Sequence, residues 1–249
     1  MYLIISSVVI GSGLYSMVIW GFNLSIDFTG GTIVEYQKKS DGLKFTEATG
    51  PKSQEEVKRE DADIVRFETV GPTLSQEILR RTLIGVGIAA VGILFWVAWQ
   101  FKSIQFGVSA ILAMIHDSFV LVGFFSVFGH FYKAPIDTLF VTALLTTLAF
   151  SVHDTIVVFD RIREMKRKLG GSPYELANIA ISQTMVRSLN NSLTVIFVLV
   201  ALALLGGLNL FWFAIALLIG TVTGTYSSPF VAVPLLVTWE EVKGLLKKK

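Results

Sequence analysis

The sequence contains no cysteine, which excludes disulfide bonds, thiol catalysis and metal sites with cysteine ligands. Charged residues are also scarce, at 16% of the 249 residues, whereas a soluble domain carries about a quarter. Walker A, His-Glu-x-x-His and serine-hydrolase motifs are all absent from the sequence. We therefore expect a protein that is not an enzyme and that holds no metal or other cofactor. The net charge of +2 gives no reason to expect a nucleic-acid partner.

Apolar residues dominate instead, at 53% with a mean hydropathy of +0.64, which indicates an integral membrane protein. Six apolar segments approach or exceed the roughly 20 residues that span a bilayer, and their uniform apolarity favours helices over a barrel. The predicted fold class is a membrane α-helical bundle of six transmembrane helices, with a small α+β external domain between helices one and two. The segments cover residues 3–22, 83–101, 104–128, 136–159, 188–205 and 210–237.

The predicted domains follow from these segments. Residues 1–22 form the first transmembrane helix, which we expect to be retained, because its apolar run is too long for a signal peptide and lacks a basic flank. Residues 23–82 form the external domain, with strand candidates around 33–36 and 64–69. Residues 83–237 hold helices two to six, and 238–249 form a basic tail.

Lysine and arginine in the short loops predict the orientation, because cytoplasmic loops carry an excess of these residues. One lies between segments two and three, six between segments four and five, and four in the tail, against Lys133 alone on the other side. We therefore expect both termini in the cytoplasm, although Arg80 and Arg81 after the long loop oppose the bias. The residues on the cytoplasmic side are Lys102, Arg161, Arg163, Lys166, Arg167, Lys168, Arg187, Lys243, Lys247, Lys248 and Lys249.

The stretch FSVHDTIVVFDRIRE at 150–164 places an acid, Asp154, inside the fourth segment. An acid at the centre of a membrane helix costs roughly 2.5–3.5 kcal/mol on insertion scales and is by default a functional hypothesis. Helical spacing puts Asp154 on one face with Thr147 and Ser151, whereas His153 points about 100° away. We expect Asp154 to act in function; a purely structural pair is the alternative.

The fifth segment carries a polar stripe on one helix face. Its Arg187 enters the membrane at a depth similar to that of Asp154 on the antiparallel neighbour, so we expect the two to pair. An arginine stabilises a nearby carboxylate and burial favours the protonated form, so moving the arginine could drive proton binding and release. Alternatively, Arg187 only anchors the helix at the cytoplasmic surface. The stripe consists of Gln183, Arg187, Asn190, Asn191 and Thr194.

Segment three contains a second acid, Asp117, next to His116. A polar contact with a serine or threonine of a neighbouring helix explains it structurally, and ion handling is the alternative. We therefore keep Asp117 as a candidate member of a proton relay with Asp154 and Arg187. The two His-Asp pairs do not predict a metal site, because side chains of adjacent helix residues diverge.

Two glycine pairs indicate close approach of backbones. Gly220 and Gly224 form a Gly-x-x-x-Gly pattern, which is typical of helix packing in membranes. Gly30 and Gly31 allow a tight turn where the external domain begins. Residues 225–229, TYSSP, could open the helix backbone of segment six.

Three stretches resemble the SecF subunits of the SecD/SecF protein-export complex, which are related to the proton-driven resistance-nodulation-division exporters. They are NLSIDFTGGT at 23–32, which contains Asp27, VGPTLSQEI at 70–78, and SVHDTIVVFDRIRE at 151–164. Their order and their placement on a six-helix plan with one large external loop match as well. The stretch SQTMVRSLNNSLT at 182–194 supports the resemblance.

The resemblance implies a multi-pass subunit of the bacterial or archaeal plasma (inner) membrane. Its partners would be a SecD-like subunit, the Sec translocon channel, unfolded exported polypeptide, protons and the lipid bilayer. Such a subunit uses the proton motive force to draw polypeptide across the membrane. By the same resemblance, Asp154 matches the family's membrane acid implicated in proton movement, and Arg187 matches its basic partner.

Two other classes of function stay open. One is half of a proton-coupled exporter of small molecules or lipids, and the other is a purely structural assembly subunit. Residues 23–82 are few for the substrate-binding domains of an exporter, which favours the export-accessory interpretation.

Overall fold

A computed structural model describes residues 2–40, 42–50, 52–101 and 103–247. The chain forms a bundle of long helices with a small β-sheet at one end, which we call the sheet end. Lys102, Lys248 and Lys249, which contribute to the predicted charge bias, lie outside the described residues. The helices are α1 (Tyr2–Trp20), α2 (Ile26–Thr29), α3 (Pro72–Phe101), α4 (Ile104–Tyr132), α5 (Thr138–Leu169), α6 (Pro173–Leu205), α7 (Leu208–Ser227) and α8 (Val233–Lys247), with a π-helix at Ser228–Ala232 between the last two.

Five helical stretches within the described ranges are long and apolar enough to cross a membrane. The apolar part of α1, Ile4–Trp20, is shorter than these. The five stretches are Pro72–Phe101, Ile104–Tyr132, Thr138–Leu169, Pro173–Leu205 and Leu210–Lys243.

Several helices extend beyond the apolar segments that predict them. The predicted boundary at residue 82 falls inside α3, which begins at Pro72, and α6 begins at Pro173 rather than at 188. The Ser172 side chain accepts a hydrogen bond from the Glu175 N–H and caps α6. Hydropathy detects the part of a helix that suits a membrane, but it does not detect polar turns added to the same helix.

The sheet has three antiparallel strands in the order β2-β1-β3. They are β1 (Gly31–Lys38), β2 (Lys44–Thr49) and β3 (Ala62–Val70). Val34 and Tyr36 of the central strand are buried, and the Tyr36 hydroxyl donates to the Val57 carbonyl at 2.6 Å. Both predicted strand candidates are confirmed, whereas β2 is missed because KFTEAT lacks an apolar alternation.

The last long apolar segment is interrupted by the π-helix that contains Pro229. Proline has no N–H for the regular helical hydrogen bond, and π-bulges accommodate such interruptions. The possible opening of the backbone at 225–229 takes the form of this π-helix, which covers only the last two of those residues. Ser227, which ends α7, and Ser228, which begins the π-helix, are both fully buried and contact α4 and α5, respectively.

Helix α7 crosses α5 at very short range. A Cβ atom on Gly220 would lie 2.0 Å from the Thr147 Cγ2, and a Cβ atom on Gly224 would lie 3.3 Å from the Ser151 Cα. The predicted glycine pair thus lies on the face of α5 that carries the polar residues of the site. Glycine is needed at position 220 because no side chain fits against Thr147.

Candidate functional site

Asp117 lies at the centre of a buried polar cluster built by α4, α5 and α7, and is 4% exposed. Its Oδ2 accepts hydrogen bonds from the Ser151 hydroxyl at 2.5 Å and from the Ser227 hydroxyl at 2.6 Å. Its Oδ1 lies 2.9 Å from the Nδ1 of His116. The predicted contact with serines of neighbouring helices is therefore present, and two helices contribute to it rather than one.

His116 is itself buried, and its Nε2 has no hydrogen-bond partner within the part of the chain that the structure describes. A buried polar atom without a partner is unfavourable by about 1–3 kcal/mol. His116 and Asp117 thus place two titratable side chains side by side in the buried region between three helices.

Asp154 is the second buried acid, at 5% exposure, and it lies on the same face of α5 as Thr147 and Ser151. Its Oδ2 accepts a hydrogen bond from the Ser188 hydroxyl of α6 at 2.6 Å. Its Oδ1 lies 3.9 Å from the Nδ1 of His153, whose side chain is 66% exposed. His153 thus points away from the buried face while its ring stays near the carboxylate.

The predicted pairing of Arg187 with Asp154 is corrected by the structure. Arg187 is exposed and forms no ion pair within the described residues, and the neighbouring Ser188 occupies the position facing Asp154. Adjacent residues of a helix point about 100° apart, so only one of the two can face α5. The helix buries its small hydroxyl side chain and leaves its guanidinium outside.

Along the whole of α6, the residues that face inward are each one position after residues of the predicted stripe. The inward residues are Thr184, Ser188 and Ser192, at i, i+4 and i+8, and the Ser192 hydroxyl lies 2.6 Å from the Thr225 Oγ1 of α7. Small hydroxyl residues commonly line helix contacts in membranes, and their spacing marks a second polar stripe in the sequence beside the charged one. The predicted stripe residues are all exposed: Gln183, Arg187, Asn190, Asn191 and Thr194.

Ser151 connects the two acids, because it donates to Asp117 and lies one turn from Asp154 on the same face of α5. A second contact joins Thr155 to Ser228 across 3.0 Å. These hydroxyls form a discontinuous polar column through the apolar interior of the bundle. Sequence reasoning missed Ser227 and Ser228, since only the π-helix brings both of them toward this column.

Asp27, Gly30 and Gly31 lie far along the chain from these acids, at the sheet end. The Asp27 Oδ2 accepts hydrogen bonds from the backbone N–H of Thr138 at 3.1 Å and from its hydroxyl at 3.0 Å. Gly30 has φ 73° and Gly31 has φ 137°, conformations that favour glycine. The motif thus links the segment that leads into β1 to the first residue of α5.

Asp137 precedes Thr138 and caps α5, since its Oδ1 accepts a hydrogen bond from the Phe140 N–H at 2.7 Å. Burial raises the pKa of Asp137 above its usual value, and the nearby Asp27 carboxylate raises it further, while the bond from Phe140 opposes both. Two carboxylates therefore meet at the beginning of the helix that carries Asp154.

These features define the chain as a helical multi-pass membrane protein with buried acids and a small sheet. Residues 51–242 match the family model "Protein export membrane protein SecD/SecF, C-terminal", and residues 15–37 match "SecD/SecF GG Motif". The chain belongs to the SecD/SecF protein-export family.

Curated relatives agree with this assignment. The protein translocase subunit SecF of Thermobaculum terrenum is 50% identical over 179 residues, which cover 70% of this chain and 56% of that protein. The SecF subunit of Anaerolinea thermophila is 38% identical over an alignment that covers 96% of this chain and 92% of that protein. This chain thus spans little more than half of the first relative and nearly all of the second.

Two solved structures have the same fold. SecDF of Thermus thermophilus, described as a translocon-associated membrane protein, matches with a TM-score of 0.86 and 33% identity. A SecDF structure in a "Super-membrane-facing form" matches with a TM-score of 0.72 and 31% identity. This chain covers 37% and 38% of those longer chains, respectively.

Proposed function

We propose that this chain is a Sec protein-export accessory subunit that couples proton movement to translocation of polypeptide, working with a SecD-like partner. The proposal assigns it no enzymatic activity. It places both termini in the cytoplasm and the sheet outside the plasma membrane, where the sheet would act near unfolded polypeptide leaving the Sec channel. Family membership supports the export role, and the arrangement around Asp154 supports the proton coupling.

The observation that carries the coupling is the environment of Asp154, which is buried in an apolar bundle. The Ser188 hydroxyl lies 2.6 Å from its Oδ2 and the exposed His153 ring 3.9 Å from its Oδ1, and no lysine or arginine pairs with it among the described residues. A buried carboxylate without a lysine or arginine partner is unfavourable, and protonation removes the buried charge. The Ser188 hydroxyl can serve either form, because it donates to a carboxylate and accepts from a carboxylic acid. The site is therefore suited to gain and lose a proton.

Arg187 supplies the second state in this proposal. Arg187 immediately precedes Ser188 in the chain. A partial rotation of α6, together with the length of the arginine side chain, would therefore bring the guanidinium to Asp154. The protonated acid would pair with Ser188 and the ionised acid with Arg187. Asp117, bonded to Ser151 of the same helix face, is placed to respond when α5 moves.

The exposed stripe on α6 supports the proposed partner. Polar and charged side chains at membrane depth are costly in lipid and normally face protein or water. The outer stripe contains Arg187, Asn190 and Asn191, and all three are exposed in this chain alone. In the SecDF relatives, the matched part is about two fifths of a longer chain. We infer that a SecD-like subunit covers the stripe.

The two SecDF structures also support a moving bundle. This chain matches them at nearly equal identity, yet with TM-scores of 0.86 and 0.72. Such a difference is what a segment with more than one arrangement would give. A proton crossing a potential of 100 mV releases about 2.3 kcal/mol, which is enough to shift such an equilibrium.

Proton flux into liposomes that contain the chain, with and without a SecD-like subunit, tests the proposal. We expect flux only with the partner present and faster flux when a translocating polypeptide is supplied. Flux that needs no partner but depends on an added small molecule or lipid would favour an exporter. No flux under any of these conditions would leave only the structural assembly role.

A further inference from the structure

The short helix α2 is wedged between the bundle and the sheet. Ile26 and Phe28 are buried, and Phe28 packs into the apolar cluster that contains Leu121, Phe125 and Phe140. The helix is too short to be stable alone, so these contacts hold it in place. The segment is therefore part of the bundle, although strand β1 follows it directly.

Polar contacts attach the same segment to the beginning of α5. The Asp27 carboxylate receives both hydrogen bonds from Thr138, and the backbone N–H of Ser25 donates to the Ile136 carbonyl at 3.0 Å. The Ile136 N–H in turn donates to the Asn23 carbonyl at 2.8 Å. The two bonds to Asp27 differ from the others because a side chain accepts them and because their donor, Thr138, belongs to α5 itself.

On its other side, the segment continues directly into the sheet through two tightly packed glycines. A Cβ atom on Gly31 would lie 2.7 Å from the Thr49 carbonyl oxygen of β2, and a Cβ atom on Gly30 would lie 3.2 Å from the Ser75 Oγ of α3. The backbone at the two glycines is thus pressed against both β2 and α3. A displacement of Asp27 would be passed to the sheet rather than absorbed by a loose linker.

We propose that Asp27 is a positioning residue that transmits movement of α5 to the external sheet. This inference rests on the proposed function. Asp154 lies on the same continuous helix, about 24 Å from Thr138 at 1.5 Å per residue. A helix moves largely as a rigid element, so a shift at Asp154 reaches Thr138 and, through its two hydrogen bonds, Asp27. The proton site and the sheet are thereby joined by one helix and one carboxylate.

Asp27→Ala tests the inference when the chain is studied with its SecD-like partner in liposomes. We expect proton flux to stay near the wild-type rate while gradient-dependent export of polypeptide falls roughly tenfold, as for a coupling of typical strength. Asp27→Asn should restore export, because its amide oxygen can accept the same hydrogen bonds. Asp63→Ala, which removes an exposed acid of the same sheet, is the matched control and should change neither quantity.

Amide hydrogen exchange adds a structural measurement. Loss of a side chain that accepts from an N–H at the beginning of a helix shifts a local equilibrium roughly fivefold, so exchange at Thr138 should accelerate by about that factor in Asp27→Ala. Unchanged export, or flux and export lost together in an inserted protein, would overturn the inference. If Asp27→Ala does not insert, Thr138→Val, which removes only the hydroxyl contact, replaces it: lower export at unchanged flux supports the inference and unchanged export overturns it.

Asp154→Asn in the same assay separates the two proposals. If it loses flux and export together, the proposed function stands, and Asp27→Ala decides the inference on transmission. If it keeps both, the proposed function fails, whereas the exchange at Thr138 still shows whether Asp27 holds the beginning of α5.

Discussion

Asp154→Asn is expected to abolish the stimulation of polypeptide export by the proton gradient, while the protein still folds and inserts. Asparagine has nearly the same shape as aspartate, and its amide oxygen can accept the hydrogen bond from Ser188. It cannot take up and release a proton. Loss of one coupled proton per cycle removes about 2.3 kcal/mol per 100 mV, which corresponds to roughly fiftyfold in an equilibrium.

Export by inverted membrane vesicles, with and without an imposed gradient, measures this effect. Asp160→Asn is the matched control, because Asp160 lies on the same helix, its side chain is 68% exposed, and its charged contact is Arg163 at 4.0 Å. The control should retain full stimulation. Stimulation in Asp154→Asn that equals that of the control would refute the role of Asp154 in coupling.

Gly220→Leu is expected to have the largest effect on folding, because it separates α7 from α5. Even a Cβ atom at this position would lie 2.0 Å from the Thr147 Cγ2 and 2.4 Å from its Cβ, so a leucine has no space. Overpacking typically costs about 1–3 kcal/mol, and here the displaced partner is a helix rather than a flexible side chain. We expect loss of the folded protein from membranes and a lower thermal unfolding temperature of what remains.

Gly92→Leu serves as the control, since Gly92 is exposed on α3 and a Cβ atom there would meet nothing within 4 Å. A second comparison combines Gly220→Ala with Thr147→Gly in one protein. The second change removes the atoms that clash with the new Cβ atom, so the double variant should recover part of the stability that Gly220→Ala alone loses. Equal thermal stability of Gly220→Leu and Gly92→Leu would show that the helices can separate at this point without cost.

The faces of α5 could be predicted from the sequence, because helical periodicity alone sets them. Thr147, Ser151 and Asp154 are all buried, as their spacing requires, and His153 points away. Two of the three strands of the sheet, β1 and β3, can be predicted as well. Both predictions use local rules that do not depend on which helices become neighbours.

The orientation of α6 could not be predicted in the same way. Two polar stripes run along it, one through Arg187 and one through Ser188, and the charged one is the expected neighbour of Asp154 because arginine is the stronger partner for an acid. In this structure close packing decides otherwise, because the small hydroxyl of Ser188 lies against α5 and the guanidinium lies outside. Helical spacing defines both stripes equally well, so only the tertiary structure distinguishes them.

Contacts between distant parts of the chain were likewise beyond sequence reasoning. Asp27 and Thr138 are separated by 111 residues, and neither carries a local pattern that indicates the other. Ser227, the last residue of α7 before the π-helix, donates to Asp117 across 110 residues of sequence. The sequence indicated an opening of the backbone there, but the direction in which the opening turns a side chain depends on the whole bundle.

A change in the protonation of Asp154 is the central claim, and infrared difference spectroscopy tests it most directly. The chain and a SecD-like partner would be reconstituted in liposomes, and spectra compared before and after a proton gradient is imposed. The account predicts a change in the carboxylic-acid C=O band that is absent from Asp154→Asn and present in Asp160→Asn. A band that does not respond to the gradient, or a response that survives in Asp154→Asn, would contradict it.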